Sequence, residues 1–186
     1  GNDVGRWTHV AYEAASRGGW YVTVLIGVQR PLVLVVDPKI QILELRQYWE
    51  VRAEGIWAQH VCETPLEHWT IGLEAFGVTL ETVEDAMGDQ WGTRTGVGLD
   101  LEWERLDNPE QTDTGFRQRC LITGEVLIDQ EVIDLNVGGW RSRSWGNGLG
   151  LVDRPVGAGI HLRGATTLLT IEPDFLGQRW RGRTSE

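Results

Sequence analysis

Short runs rich in β-branched and aromatic residues recur along this chain, and Gly, Pro, Asn or Asp interrupts them before they reach helical length. The runs are Trp20 to Gly27, entered through Gly18-Gly19, then Leu32 to Val36, stopped by Asp37-Pro38, and Ile40 to Leu45. Tyr48 to Ala53 and Ile56 to Glu63 flank the tight-turn pair Glu54-Gly55, and His68 to Phe76 follows Thr64-Pro65. Val97 to Glu104 alternates cleanly, with Val97, Leu99, Leu101 and Trp103 on one face and Gly98, Asp100, Glu102 and Glu104 on the other. That is the signature of a strand with one wet side. Phe116 to Thr123, Glu125 to Ile128, Glu131 to Val137, Trp140 to Trp145, Ile160 to Arg163 and Thr166 to Ile171 continue the series.

Two stretches have helical character. Val10 to Ser16 reads either as a short helix or, with Gly18-Gly19, as part of a hairpin from Trp7 to Tyr12, and Leu80 to Met87 is short. Asp107 to Gly115 is a polar acidic loop. A chain of 186 residues has room for one domain and buries about 70% of its unfolded surface without a metal or disulfide staple. A meander of about ten or more strands with short connections exposes fewest edges when it closes on itself. The expected fold is therefore all-β, an antiparallel up-and-down barrel of lipocalin type, with a β-sandwich as the alternative. The barrel is assigned to residues 20–175, preceded by a segment at 1–19 and followed by a tail at 176–186 that reads as a frayed terminus.

Charge narrows the partners. With 17 Lys and Arg against 27 Asp and Glu the net charge is −10, which disfavours a phosphate backbone or an anionic membrane surface. No nucleic acid and no membrane is expected as partner; no apolar run reaches transmembrane length and the first residues lack a signal pattern, so a soluble, cytoplasmic chain is expected. Cys62 and Cys120 have neither CxxC nor zinc spacing, and each reads as a small buried thiol.

The chain carries no phosphate loop and no GxGxxG, GxSxG or HExxH pattern, so no cofactor and no metal is expected. His60, Glu63 and His68 lie close in sequence, but strand parity separates His60 from Glu63. Asp100, Glu102 and Glu104 share the wet face of one strand rather than a paired-carboxylate site. The tryptophans say more: there are 10, against 3 Phe and 3 Tyr. Trp57, Trp69, Trp103, Trp140 and Trp145 sit inside strand-like runs, and rigid indoles around a hollow suit a flat or polycyclic apolar guest. Gln118, Arg119 and Arg143, with His60 and Glu63, are the polar groups available to orient it.

The segments WAQHVCETPLEHWTIGLEAF (from Trp57), GLDLEWE (from Gly98), FRQRCLITGEVLID (from Phe116) and RSRSWG (from Arg141) occur in this order. That order resembles the first barrel of the lipocalin-like proteins related to carotenoid hydratases, over roughly residues 20 to 146. The resemblance implies a lipocalin-like barrel and an apolar guest. Two departures matter. The family usually continues into a second half, whereas about forty residues follow Gly146 here, so a single barrel is expected. The family's Arg-Asp-His-Ser-Trp-Gly motif has Ser142 and Arg143 in place of its Asp and His. Hydration needs a tuned acid and base, and an arginine stays charged at any working pH.

The chain is also similar in size and type to lipocalin-like cyclases of antibiotic biosynthesis, which catalyse intramolecular [4+2] cycloadditions. Such a pericyclic step moves no proton and needs only a near-attack pose in a dry cavity. This similarity implies a cofactor-independent enzyme that folds a linear polyene or polyketide. Gln118 or Arg143 would hydrogen-bond an acceptor carbonyl, and Trp57, Trp69, Trp103, Trp140 and Trp145, with His60 and Glu63, would contact the substrate. The segment from Trp7 to Ser16 would be a lid or a plain edge strand. A non-catalytic carrier of an apolar small molecule and a residual hydratase are the alternatives.

Overall fold

The computed structural model describes residues 7–15, 18–26, 31–40, 42–44, 48–81, 85, 92–113, 115–144, 160–163, 168–173 and 180–185. The chain divides into two compact units: Gly1–Gln41, Phe76–Thr95 and Arg154–Glu186 form the first, Ile42–Ala75 and Gly96–Asp153 the second.

In the first unit, β1 (Trp7–Ala15), β2 (Gly18–Ile26) and β3 (Leu32–Ile40) form antiparallel neighbours. Of the two readings of the N-terminal segment, the hairpin is the one formed. Trp7 stands opposite Ile26 and Ala15 opposite Gly18. Leu32 to Leu34 of β3 then pair with Val78 to Leu80. Tyr21, Leu34, Val35 and Leu80 are fully buried. Thr23 Oγ1 donates to the Tyr21 hydroxyl at 3.2 Å. Burial pushes the Tyr21 phenol up to about 12, a shift that this hydrogen bond opposes.

Asp37-Pro38 was expected to end β3, yet the strand runs on to Ile40. The register explains how. Tyr21 pairs with Asp37 and Gly19 with Ile40, so the ladder shifts across Pro38 and Lys39. A bulge absorbs the missing proline N–H. β12 (Ile160–Arg163), β13 (Leu168–Pro173) and β14 (Trp180–Ser185) form a separate three-stranded antiparallel sheet. The segment read as a frayed tail thus supplies a strand, with Trp180 opposite Pro173 and Ser185 opposite Leu168. Most of the short helical candidate from Leu80 to Met87 lies outside the described residues.

The second unit holds an antiparallel sheet of eight strands. They are β4 (Ile42–Glu44), β5 (Tyr48–Ala53), β6 (Ile56–Thr64), β7 (His68–Leu80), β8 (Thr93–Arg105), β9 (Glu110–Thr112), β10 (Gly115–Ile128) and β11 (Glu131–Ser144). The order is β4-β5-β6-β7-β8-β10-β11, with β9 on the start of β10. β7 and β8 contribute residues to both units. Among the described residues the sheet is not closed: β4 pairs only with β5 and β11 only with β10.

One face, called inner below, carries Val51, Ala58, Leu73, Leu99, Leu101, Ile122, Val126 and Ile133, all buried. Alternation sorts the rest outward, as the sequence of β8 required. Two breakers proved to be strand interior. Gly124 separates two expected runs, but β10 passes through it at φ 121. A Cβ there would stand 2.0 Å from the Asp100 carbonyl oxygen, so glycine permits β10 and β8 to approach. Gly138-Gly139 likewise lies inside β11.

Candidate functional site

One end of the inner face is closed by two loops. Thr64 to Glu67 form a turn, with Glu67 N–H donating to the Thr64 carbonyl at 3.0 Å. Pro65 presets the second position and Leu66 takes the left-handed conformation at φ 62, a costly state for a residue with a Cβ. Such strain persists only where neighbours hold it. Gln118, 1% exposed, does so: its Nε2 donates to the Leu66 carbonyl at 2.9 Å and to the Asp107 carbonyl at 3.0 Å. Arg105 N–H donates to the Glu67 carbonyl at 2.8 Å, and Leu106 N–H to the Arg119 carbonyl at 3.0 Å.

Just inside this cap the face becomes aromatic and polar together. Strand register brings Trp69 opposite Cys62, Trp103 opposite Ile122, and Arg141 opposite Gln118. The Arg141 guanidinium lies over the Trp69 ring, 4.8 Å from its centroid, and over Phe116 at 5.2 Å. Arg141 is on β11 and Trp69 on β7, with β8 and β10 between them. At the ~4.8 Å spacing of neighbouring strands, a flat sheet would hold these strands about 14 Å apart. The two side chains thus meet across the width of β8 and β10, as they do most readily where a sheet curls towards its inner face.

Trp69 Nε1 and Trp103 Nε1 are both buried with no hydrogen-bond partner. The Glu67–Arg105 hydrogen bond lies two residues from each of them, which puts the two indoles at the same end of the β7–β8 ladder. Cys120 is buried beside them. Burial raises its thiol pKa, while the charge and backbone of Arg141 oppose that rise. Further along the face His60, opposite Ile71, is buried, and desolvation lowers its imidazole to about 3. It is a neutral ring at neutral pH.

The structure sorts the residues expected to form the site. Trp69, Trp103, Gln118 and His60 share the inner face. Trp57 lies on the opposite face of β6 from Ala58 and His60, its ring lying 3.5 Å from where a Cβ on Gly72 would be. Trp140 is half exposed on the outer face under the Arg117 guanidinium, 5.1 Å away. Glu63 is exposed and is the unpaired residue at the register shift between Cys62 and Thr64. Arg119 is exposed and paired with Asp107 at 3.4 Å. Arg143 stands opposite Phe116, its side chain outside the described residues, as is all of Trp145. Gln118 is present but committed, since two backbone carbonyls take both of its amide hydrogens. It shapes the cap, and its donor does not face a guest.

Arg141 and Phe116 are inner-face residues that sequence reasoning did not place in the site, whereas Cys120 is the buried thiol expected from the sequence. A signal for Arg141 and Phe116 existed. Asp129-Gln130 joins Ile128 and Glu131 in a two-residue hairpin, with Asp129 at φ 53. Asp129 N–H donates to the Gly96 carbonyl and Asp129 Oδ1 accepts from Gly96 N–H, both at 2.8 Å. Once that turn is fixed, the ladder is fixed, and Arg141 must face with Gln118. His68 Nε2 and a carboxylate oxygen of Glu102 are hydrogen-bonded on the outer face, and Cys62 and Cys120 are free thiols. Among the described residues no helix is long and apolar enough to cross a membrane. The chain matches no protein-family model, no curated protein and no solved structure.

Proposed function

We propose that the curled sheet of the second unit is the wall of a lipocalin-like up-and-down barrel, and that it folds a linear apolar polyene or polyketide for an intramolecular [4+2] cycloaddition. One observation carries this reading: an aromatic inner face keeps two buried indole donors beside an arginine. A face built only as filler satisfies its polar atoms internally. A face that receives a guest keeps a few donors to orient it.

The chemistry available there favours positioning over proton transfer. His60 is held neutral by burial. In β6, β7, β8, β10 and β11 the register places one described carboxylate, Glu131, on the inner side, and it is exposed at the hairpin end opposite Ile128. A hydratase needs an acid and a base in reach of one alkene. A cycloaddition needs diene and dienophile held together in a dry place, with donors for the charge that develops on an activating carbonyl. The buried Gln118 side chain ties Leu66 and Asp107 together at that end of the face.

Incubation of the protein with a linear polyene bearing a tetramate or tetronate head, followed by chromatography and mass spectrometry, tests the reading. A product of unchanged mass and new retention time is expected. Saturable binding with unchanged substrate would leave a carrier, and a product heavier by one water would restore the hydratase.

A further inference from the structure

We infer that Trp69 and Trp103 together cradle one neutral carbonyl oxygen of the guest, that of a ketone, ester or amide set within an otherwise apolar molecule. This deepens the proposed function and rests on its premise of an apolar guest on the inner face.

The pairing of the two indoles follows from one backbone bond. Arg105 N–H donates to the Glu67 carbonyl at 2.8 Å. Two residues along each strand from that bond stand Trp103 and Trp69, both on the inner face. In an antiparallel ladder they are direct cross-strand neighbours, whose Cβ atoms lie about 5 Å apart. Both Nε1 atoms are buried with no hydrogen-bond partner. Trp103 is 9% exposed as a residue, and a buried donor left unmade costs about 1–3 kcal/mol. Two such donors side by side suit an acceptor with two lone pairs, which a carbonyl oxygen has.

The surroundings set the charge of that acceptor. Ile71 and Leu101 follow the indoles on the same face, and Ile122 stands opposite Trp103, all three buried and apolar. An ionised group placed among them would lose its hydration at a cost far beyond that of a neutral carbonyl. Arg141 is engaged against the rings of Trp69 and Phe116 and is not one of the donors. The net charge of −10 adds to the bias against an anion. Glu131, the inner-facing carboxylate of β11, does not reach the indoles. It stands opposite Ile128, six residues along β10 from Ile122, or about 20 Å away at ~3.3 Å per residue. A carbonyl caught between Trp69 and Trp103 therefore fixes where along the face a long guest lies.

The test is titration of the intact chain with three probes sharing one octyl tail: methyl octyl ketone, the alkene in which a methylene replaces its oxygen, and nonanoate. Trp69→Phe and Trp103→Phe keep an aromatic ring and remove the N–H. Each should weaken the ketone about five- to ten-fold and leave the alkene within about two-fold. Nonanoate should bind about ten-fold or more weakly than the ketone. In the infrared, the carbonyl band of the bound ketone should stand at lower wavenumber than in hexane, and should return towards the hexane position when both indoles are replaced. Unfolding midpoints by circular dichroism check that each variant is folded. The indole N–H signals of the parent, shifted by the ketone and not by the alkene, decide the matter if one is not. With the alkene still bound, a carbonyl band at its hexane position, equal losses of ketone and alkene in the Phe variants, or nonanoate binding tighter than the ketone would overturn the carbonyl cradle and leave the apolar guest in place. No binding of any probe would overturn both.

Discussion

His60 and His68 are eight residues apart in the chain and live in opposite worlds. His60 faces inward between apolar neighbours, where desolvation strips it of its proton. His68 faces outward, partly wet, and pairs with Glu102 of β8. The same contrast runs through the tryptophans: Trp69 and Trp103 keep buried N–H groups on the inner face, while Trp57 and Trp140 cover strand surface on the other. Residue type does not decide what these side chains do. Which side of the sheet they reach decides it, and a side is set by register.

The contrast can be broken most forcefully at Gly124. Gly124→Ala forces a Cβ into the Asp100 carbonyl at an unfavourable φ, and should cost about 3 kcal/mol or more in chemical denaturation. A loss under 1 kcal/mol would mean that β10 and β8 do not approach as described. His60 gives the next effect. Its folded value of about 3 lies below the ordinary 6.5, so the unfolded chain binds the extra proton between them. Stability should be full above about pH 6.5 and fall by up to about 1.4 kcal/mol per pH unit as pH drops towards 3. Denaturation of the parent and of His60→Leu across that window checks this: the variant should lack that part of the slope.

Gln118→Ala removes both bonds to the cap and should cost about 1–3 kcal/mol. It should also speed proteolysis between Thr64 and Glu67, where Leu66 loses what holds it. An unchanged nicking rate would mean the turn stands alone. Glu102→Gln, on the outer face, should change stability by no more than about 0.5 kcal/mol, because its pair with His68 is solvent-screened.

Much of the inner face could be read in advance where alternation was clean. Val97 to Trp103 gave β8 its core side directly, and the pair Glu54-Gly55 gave the β5–β6 hairpin, with Gly55 at φ 75. The readings lost their hold where geometry departs from the ideal strand. Trp57 sits in a run with apolar residues on both sides, so parity had no contrast to work with. The register shifts at Pro38 and after Cys62 are bulges, which no local pattern marks. Gln118 looked free because its partners Leu66 and Asp107 are 52 and 11 residues away. Arg141 was visible only through the distant Asp129-Gln130 turn that sets its register.

The central claim is that Trp69 and Trp103 keep their N–H groups for a guest on the inner face. Heteronuclear NMR of the 10 indole N–H groups during titration with methyl octyl ketone tests it most directly. The account predicts saturable downfield shifts at Trp69 and Trp103, while Trp57 and Trp140 stay fixed. Movement of Trp57 and Trp140 alone, or no movement at any indole, would contradict it.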